Sequence, residues 1–206
     1  MLTVSGLVRA FGGLTVLDGV SFTLDAGEAG AVIGPNGSGK STLLRCVVGA
    51  DLPDTGTVRL AGRSVDETSP AVRAMIAAAL DDVDFFPDLS VVEHLSLCSW
   101  LHGADSPDEA VDSVLDDLGL VDARDQLPAT LSTGQRQRLA LASCFVRPHT
   151  LLVLDEPEQR LDTAGRAWLI EKITVEKRAG VAVLFASHDP ELIDAVADQV
   201  ITVGPG

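Results

Sequence analysis

The spacing of apolar positions changes character along the chain. In SGLVRAFGGLTVLDGVSFTL, apolar and polar residues alternate loosely with glycines between them, which predicts short twisted strands. GEAGAVIG predicts a small buried strand. In KSTLLRCVVG, Leu43, Leu44, Val47 and Val48 fall at helical spacing and the run closes on Gly49, the residue type suited to a helix C-terminus. PDTG predicts a turn and TVRLAG a hairpin strand. The middle of the chain is helical. SPDEAVDSVLDDLG offers Ser106 as N-cap, Pro107 at the first helical position and Glu109 to close a capping box. Its apolar face is Val111, Val114, Leu115 and Leu118, and Gly119 ends it. STGQRQRLALASCFV predicts a further helix starting at Ser132. After Pro148 the pattern becomes continuous. TLLVLDEP and VAVLFASHD are unbroken apolar runs, as parallel strands buried on both faces require. TAGRAWLIEKITVEKRAG between them predicts a crossover helix. DPELIDAVAD predicts a last helix capped by Asp189 with Pro190 at its first position, and QVITV a final strand. This order predicts an α/β sheet core, residues 1–80 and 149–206, interrupted by a helical insertion at about 81–148.

Composition narrows the class. The 206 residues are 46 % hydrophobic, enough for a sizeable core. The formal net charge is −15, and such an acidic chain lacks the basic stripe that nucleic-acid binding needs. Cys46, Cys98 and Cys144 are widely spaced and odd in number, which predicts buried free thiols and neither a zinc site nor a disulfide framework. The opening MLTVSGLVRAFGG has no basic segment followed by an apolar one, and no apolar run approaches a membrane span. A soluble, cytoplasmic protein is the expectation.

Three stretches carry chemistry. Gly34, Pro35, Asn36, Gly37, Ser38, Gly39, Lys40 and Ser41 fit G-x-x-x-x-G-K-[ST], after a predicted strand and at the start of a predicted helix. Glycines let backbone N–H groups turn onto phosphate oxygens, and the helix N-terminus adds partial positive charge. In that frame Lys40 reaches the β- and γ-phosphates, Ser41 ligates Mg²⁺ and Thr42 lies near the α-phosphate. TLLVLDEP ends in two acids: Asp155 at the strand tip is placed to meet Mg²⁺ through water, and Glu156 to orient and deprotonate an attacking water. His188 closes VAVLFASHD at another strand end, where ligands sit in such folds. His94, His102 and His149 are read as structural.

One stretch is left over: LSTGQRQR, from Leu131, a second glycine-containing cap far from the phosphate loop. With it, nearly the whole chain resembles the nucleotide-binding domain of ABC transporter ATPases. GPNGSGKS is the phosphate loop, LSTGQ differs from the family's common LSGGQ only at Thr133, LLVLDEP carries Asp155 and Glu156, Leu161–Asp162 is the following loop, and Ser187–His188 holds the switch histidine. The resemblance implies a P-loop NTPase core with a mixed or parallel sheet, an N-terminal antiparallel β subdomain and an inserted α-helical subdomain. It implies ATP and Mg²⁺ as cofactors and a head-to-tail dimer, homomeric or with another ABC ATPase domain. Ser132, Gly134 and Gln135 would then serve the partner's ATP. It suggests Phe11 as the aromatic stacked on adenine, in a chain with no tyrosine.

Two departures from the family pattern stand out. Asp81 occupies the place of a usual glutamine near Mg²⁺, and the loop after Glu156 reads EQR (Glu158, Gln159, Arg160) where small neutral residues are usual. The resemblance further implies a separate transmembrane permease subunit, met by the segment from Val83 to Glu93, and a peripheral location at the cytoplasmic face of the membrane. The end of the sequence soon after its last strand suggests no C-terminal regulatory domain, and export is preferred over import. The rival classes are a soluble ABC-type ATPase acting as a mechanical switch, separated by copurification with a membrane protein, and an inactive binding module, separated by ATP turnover.

Overall fold

The computed structural model describes every residue except 66–67, 81–83 and 205–206. Strands β1 (Leu2–Phe11) and β2 (Leu14–Leu24) pair antiparallel, with register shifts between Val4 and Leu7, Leu7 and Arg9, and Arg9 and Ala10. The glycines that suggested several short strands instead bend two long ones, because a register slip lets a strand twist without ending it. Strand β3 (Ala29–Ile33) leads through the glycine loop into helix α1 (Lys40–Val48). Strands β4 (Thr55–Leu60) and β5 (Arg63–Ser64) complete a four-stranded antiparallel sheet of order β2-β1-β4-β5. Helix α2 (Pro70–Met75) and strand β6 (Ile76–Ala79) follow, then helices α3 (Val91–Leu101), α4 (Pro107–Asp117) and α5 (Thr133–Phe145). The chain closes with β7 (Leu151–Asp155), α6 (Thr163–Arg178), β8 (Ala182–Ala186), α7 (Pro190–Val196) and β9 (Gln199–Thr202).

The second sheet has the order β6-β7-β8-β3-β9, and every neighbouring pair is parallel. Its strands are apolar at successive positions because both faces are covered. Leu151 and Val153 pack with Leu43, Leu44 and Val47 of α1, while Leu152 and Leu154 pack with Leu169 and Ile173 of α6. Burying each such leucine contributes about 1.5–3 kcal/mol relative to exposure, so the strand ends that carry the site stand on a rigid support. A third cluster, Val91, Leu95, Val111, Val114, Leu115, Leu118 and Leu139, joins α3, α4 and α5. Phe85, Phe145 and Trp168 pack against both this cluster and the α6 side of the sheet. Arg147 ties the end of the helical block to the sheet by donating to the carbonyls of Arg73 and Ile76, at 2.7 and 2.8 Å.

Two expectations need correction. Ser106 makes no side-chain capping bond, so Glu109 closes no capping box there. The backbone of Ser106 has ψ 74°, whereas the serines that do form capping boxes, Ser90 and Ser132, have ψ 166° and 161°. Of the cysteines, Cys46 and Cys144 are buried, and burial pushes their thiols up to about 11 and about 12, but Cys98 is only half-buried.

Candidate functional site

The loops after β3, β7 and β8 meet at the carboxyl end of the parallel sheet, where α/β folds place their ligands. Gly34 and Gly39 make the first loop possible. A Cβ on Gly34 would lie 2.1 Å from the Val203 carbonyl and 2.5 Å from Ser38 Oγ; one on Gly39, with φ 100°, would strike Val16 Cγ1 at 2.7 Å. The hydrogen-bond ladder of α1 begins with Leu43 N donating to Gly39 O at 2.8 Å. The amides of Lys40, Ser41 and Thr42 therefore precede the ladder at the positive end of the helix dipole. Inside the loop the hydroxyl of Ser38 is buried with no hydrogen-bond partner among the described residues. Pro35, Asn36 and Gly37 form its exposed crest.

Lys40 is 5 % exposed, and its ammonium is spoken for three times: Gly34 O at 3.0 Å, Pro35 O at 3.3 Å and His188 Nε2 at 2.8 Å. An ammonium only donates, so His188 Nε2 accepts. The same nitrogen lies 3.7 Å from Glu156 Oε1, too far for a hydrogen bond, and as an acceptor it has no proton to give that carboxylate. Glu156 itself holds φ 46°, a left-handed conformation uncommon for any residue but glycine, fixed by its N–H donating to Ala186 O at 2.9 Å.

Two adjoining hollows share Ser41 and Glu156. One, about 590 Å³, is lined by Ser41, Arg45, Gln137, Asp155, Glu156, Gln159 and Arg160. The other, about 470 Å³, runs over the glycine loop past Lys40 and Thr42 to Phe11 and Val16. Phe11 is 46 % exposed, so it is not a core residue. Arg9 covers its ring at 4.5 Å and is anchored by Asp51 at 2.8 Å and Asp54 at 3.2 Å. The sequence reading missed Arg9; its place two residues before Phe11 on one strand, where side chains share a face, was the available signal.

Ser132, Gly134 and Gln135 are gathered elsewhere, at the start of α5. Ser132 Oγ accepts from Gln135 N at 3.2 Å and Gln135 Oε1 accepts from Ser132 N at 2.9 Å. Ser132 and Thr133 are exposed, and none of the three signature residues lines either hollow. Gly134 faces the loop after β7, where an added Cβ would lie 3.3 Å from Arg160 O. Asp81 lies outside the described residues, as does Val83 at the edge of the expected partner-facing segment.

The family model described as "ABC transporter" matches residues 17–159. The sulfate/thiosulfate import ATP-binding protein CysA 2 of Chromobacterium violaceum is 37 % identical over 208 residues, covering 100 % of this chain and 56 % of the relative. The spermidine/putrescine import ATP-binding protein PotA of Pseudomonas aeruginosa is 34 % identical over 209 residues, covering 100 % of this chain and 57 % of the relative. A solved structure titled as that of the ATP binding subunit of an ABC transporter superposes with a TM-score of 0.92 at 26 % identity, over 100 % of this chain and 87 % of that one. The chain spans about half the length of the curated relatives it matches. The phosphate loop, the acids after β7 and the capped second glycine segment thus sit in a chain similar to these relatives over its whole given length, and the chain belongs to the ABC transporter family.

Proposed function

We propose that the chain binds MgATP at the loop after β3, docks head to tail with a second domain of its kind, and hydrolyses ATP to drive solute import through a separate membrane subunit. The observation that carries this reading is the convergence of Ser41, Asp155 and Glu156 on one hollow beside Lys40. The residues fit the nucleotide. The buried, unpartnered Ser38 hydroxyl and the leading amides of α1 suit phosphate oxygens. Ser41 and Asp155 offer the oxygen donors that Mg²⁺ prefers. When bound, the metal neutralises charge on the phosphate oxygens. Lys40 binds the phosphates, Glu156 orients the attacking water and takes its proton, His188 meets the γ-phosphate, and the exposed ring of Phe11 receives the adenine.

The relatives' names support import and give no support to the export preferred from the sequence. Their solutes differ although their ATP domains match this chain similarly, which supports a separate subunit as the seat of solute choice. Among the described residues no helix is long and apolar enough to cross a membrane. For that subunit's contact we assign the segment from Asp84 to Glu93, where exposed Phe86 borders a groove of about 220 Å³ with Asp84, His94 and Cys98. The test is Glu156→Gln. It should keep ATP binding and lower turnover by roughly 10²-fold or more; near-normal turnover would remove Glu156 as the base, and no turnover in the wild type would remove the hydrolytic reading.

A further inference from the structure

Glu158 has no part in the chemistry above, yet it is 7 % exposed. Its Oε1 accepts the hydroxyl proton of Ser187 at 2.5 Å, the length of a charge-assisted bond. Ser187 is 1 % exposed, and its oxygen in turn accepts from Asp189 N at 2.9 Å. One hydroxyl therefore bridges the loop after β7 and the backbone on the far side of His188. The hydroxyl has a single proton, which goes to the carboxylate, and its lone pair takes the amide.

The His188 side chain, by contrast, is 46 % exposed. It meets Lys40 and Glu156, groups assigned here to phosphate and water, so its aim must come from the backbone that carries it. The loop of Glu158 is itself under constraint. Glu156 and Arg160 flank it in left-handed backbone, with φ 46° and 63°. Conformations of that kind persist only where surrounding contacts hold them. The buried bond to Ser187 is such a contact, at the centre of the strained segment.

We propose that Glu158 is a positioning residue: through Ser187 it locks the loop of Glu156 to the loop of His188 and so fixes the imidazole relative to the reacting phosphate. This rests on His188 acting at the γ-phosphate. The second carboxylate oxygen, Oε2, is buried with no hydrogen-bond partner among the described residues. What the geometry requires of residue 158 is thus one acceptor aimed at Ser187, which glutamine supplies and leucine does not.

The experiment compares the wild type with Glu158→Gln, Glu158→Leu and Ser187→Ala, reading the imidazole NMR signals of His188, assigned by their loss in His188→Asn, and ATP turnover. Glu158→Gln should retain the wild-type signals. Glu158→Leu and Ser187→Ala should shift those signals, and lower kcat roughly ten- to a hundredfold with KM for ATP little changed, as misplacement of a reacting group does. The double variant should be no slower than the worse single one, because both cut the same link. Unchanged His188 signals in both damaging variants would overturn the proposal. Should Glu158→Leu fail to fold, Ser187→Ala, which removes a single oxygen, decides it. Normal turnover in His188→Asn would strike the γ-phosphate role of His188, while the NMR comparison still decides the link.

Discussion

His94 lies between Phe85 and Phe86, whose ring centroids are 5.4 and 5.6 Å away. The Ser143 hydroxyl gives its proton to Leu139 O at 2.8 Å, so it can only accept from His94 Nε2, 3.1 Å away. That fixes the tautomer: Nε2 carries the proton and Nδ1, buried and without a hydrogen-bond partner among the described residues, is bare. Burial holds the His94 pKa below its usual 6.5. As pH falls below that value the unfolded chain takes up a proton that the folded chain resists. The stability is therefore whole above 6.5 and lost as pH falls through the lowered folded value. His102, in the same groove, is lowered by burial and then by Arg147 and Arg73, and adds a loss of the same sign. Between about pH 7 and pH 5 the thermal midpoint of His94→Gln should therefore drop less than that of the wild type; equal drops would show that His94 contributes nothing. Site residues were unevenly legible in the sequence. Gly34 to Ser41 form one contiguous pattern, so the phosphate loop could be read outright. The meeting of Lys40 with His188 spans 148 positions, and no local pattern encodes a distance across the sheet.

At the scale of elements, the two serines predicted to cap helices behaved differently, and their backbones give the reason. Ser132 and Gln135 exchange both bonds of a capping box at the start of α5, while Ser106 has the right neighbours and no bond. Ser132→Ala should therefore cost about 1 kcal/mol in urea unfolding and Ser106→Ala at most a few tenths. Equal costs would mean that the Ser132 bonds add nothing to stability. Strand β6, IAAA, escaped the sequence reading because alanine favours helix and four residues show no period. Only its pairing with β7, from Ile76 opposite Leu151 to Ala79 opposite Leu154, makes it a strand. The long apolar runs of β7 and β8 were legible for the opposite reason: burial on both faces leaves no polar position to confuse the pattern.

Two elements among the described residues have the form that suits phosphate, and only the first lines the hollows of the site. The capped start of α5 is exposed and lines neither of them. An exposed helix N-terminus can receive an anion from outside the chain, and under the proposed head-to-tail docking that anion is the ATP of a second copy. Each copy carries a formal charge of −15, so two copies repel, and association should strengthen as salt screens them. The arrangement has a consequence that a single chain cannot mimic. In Lys40→Ala the loop is damaged and the α5 cap intact; in Ser132→Arg the reverse holds. A mixed pair then contains one site with both elements damaged and one with both whole. If the two chains pair at random and sites act independently, an equal mixture should regain about a quarter of wild-type ATPase activity, because half the pairs are mixed and each has one working site of two. If each chain instead completed its own site, no pairing could restore activity, and the mixture would stay as slow as its parents even where mixed pairs are demonstrated by a tag on one copy.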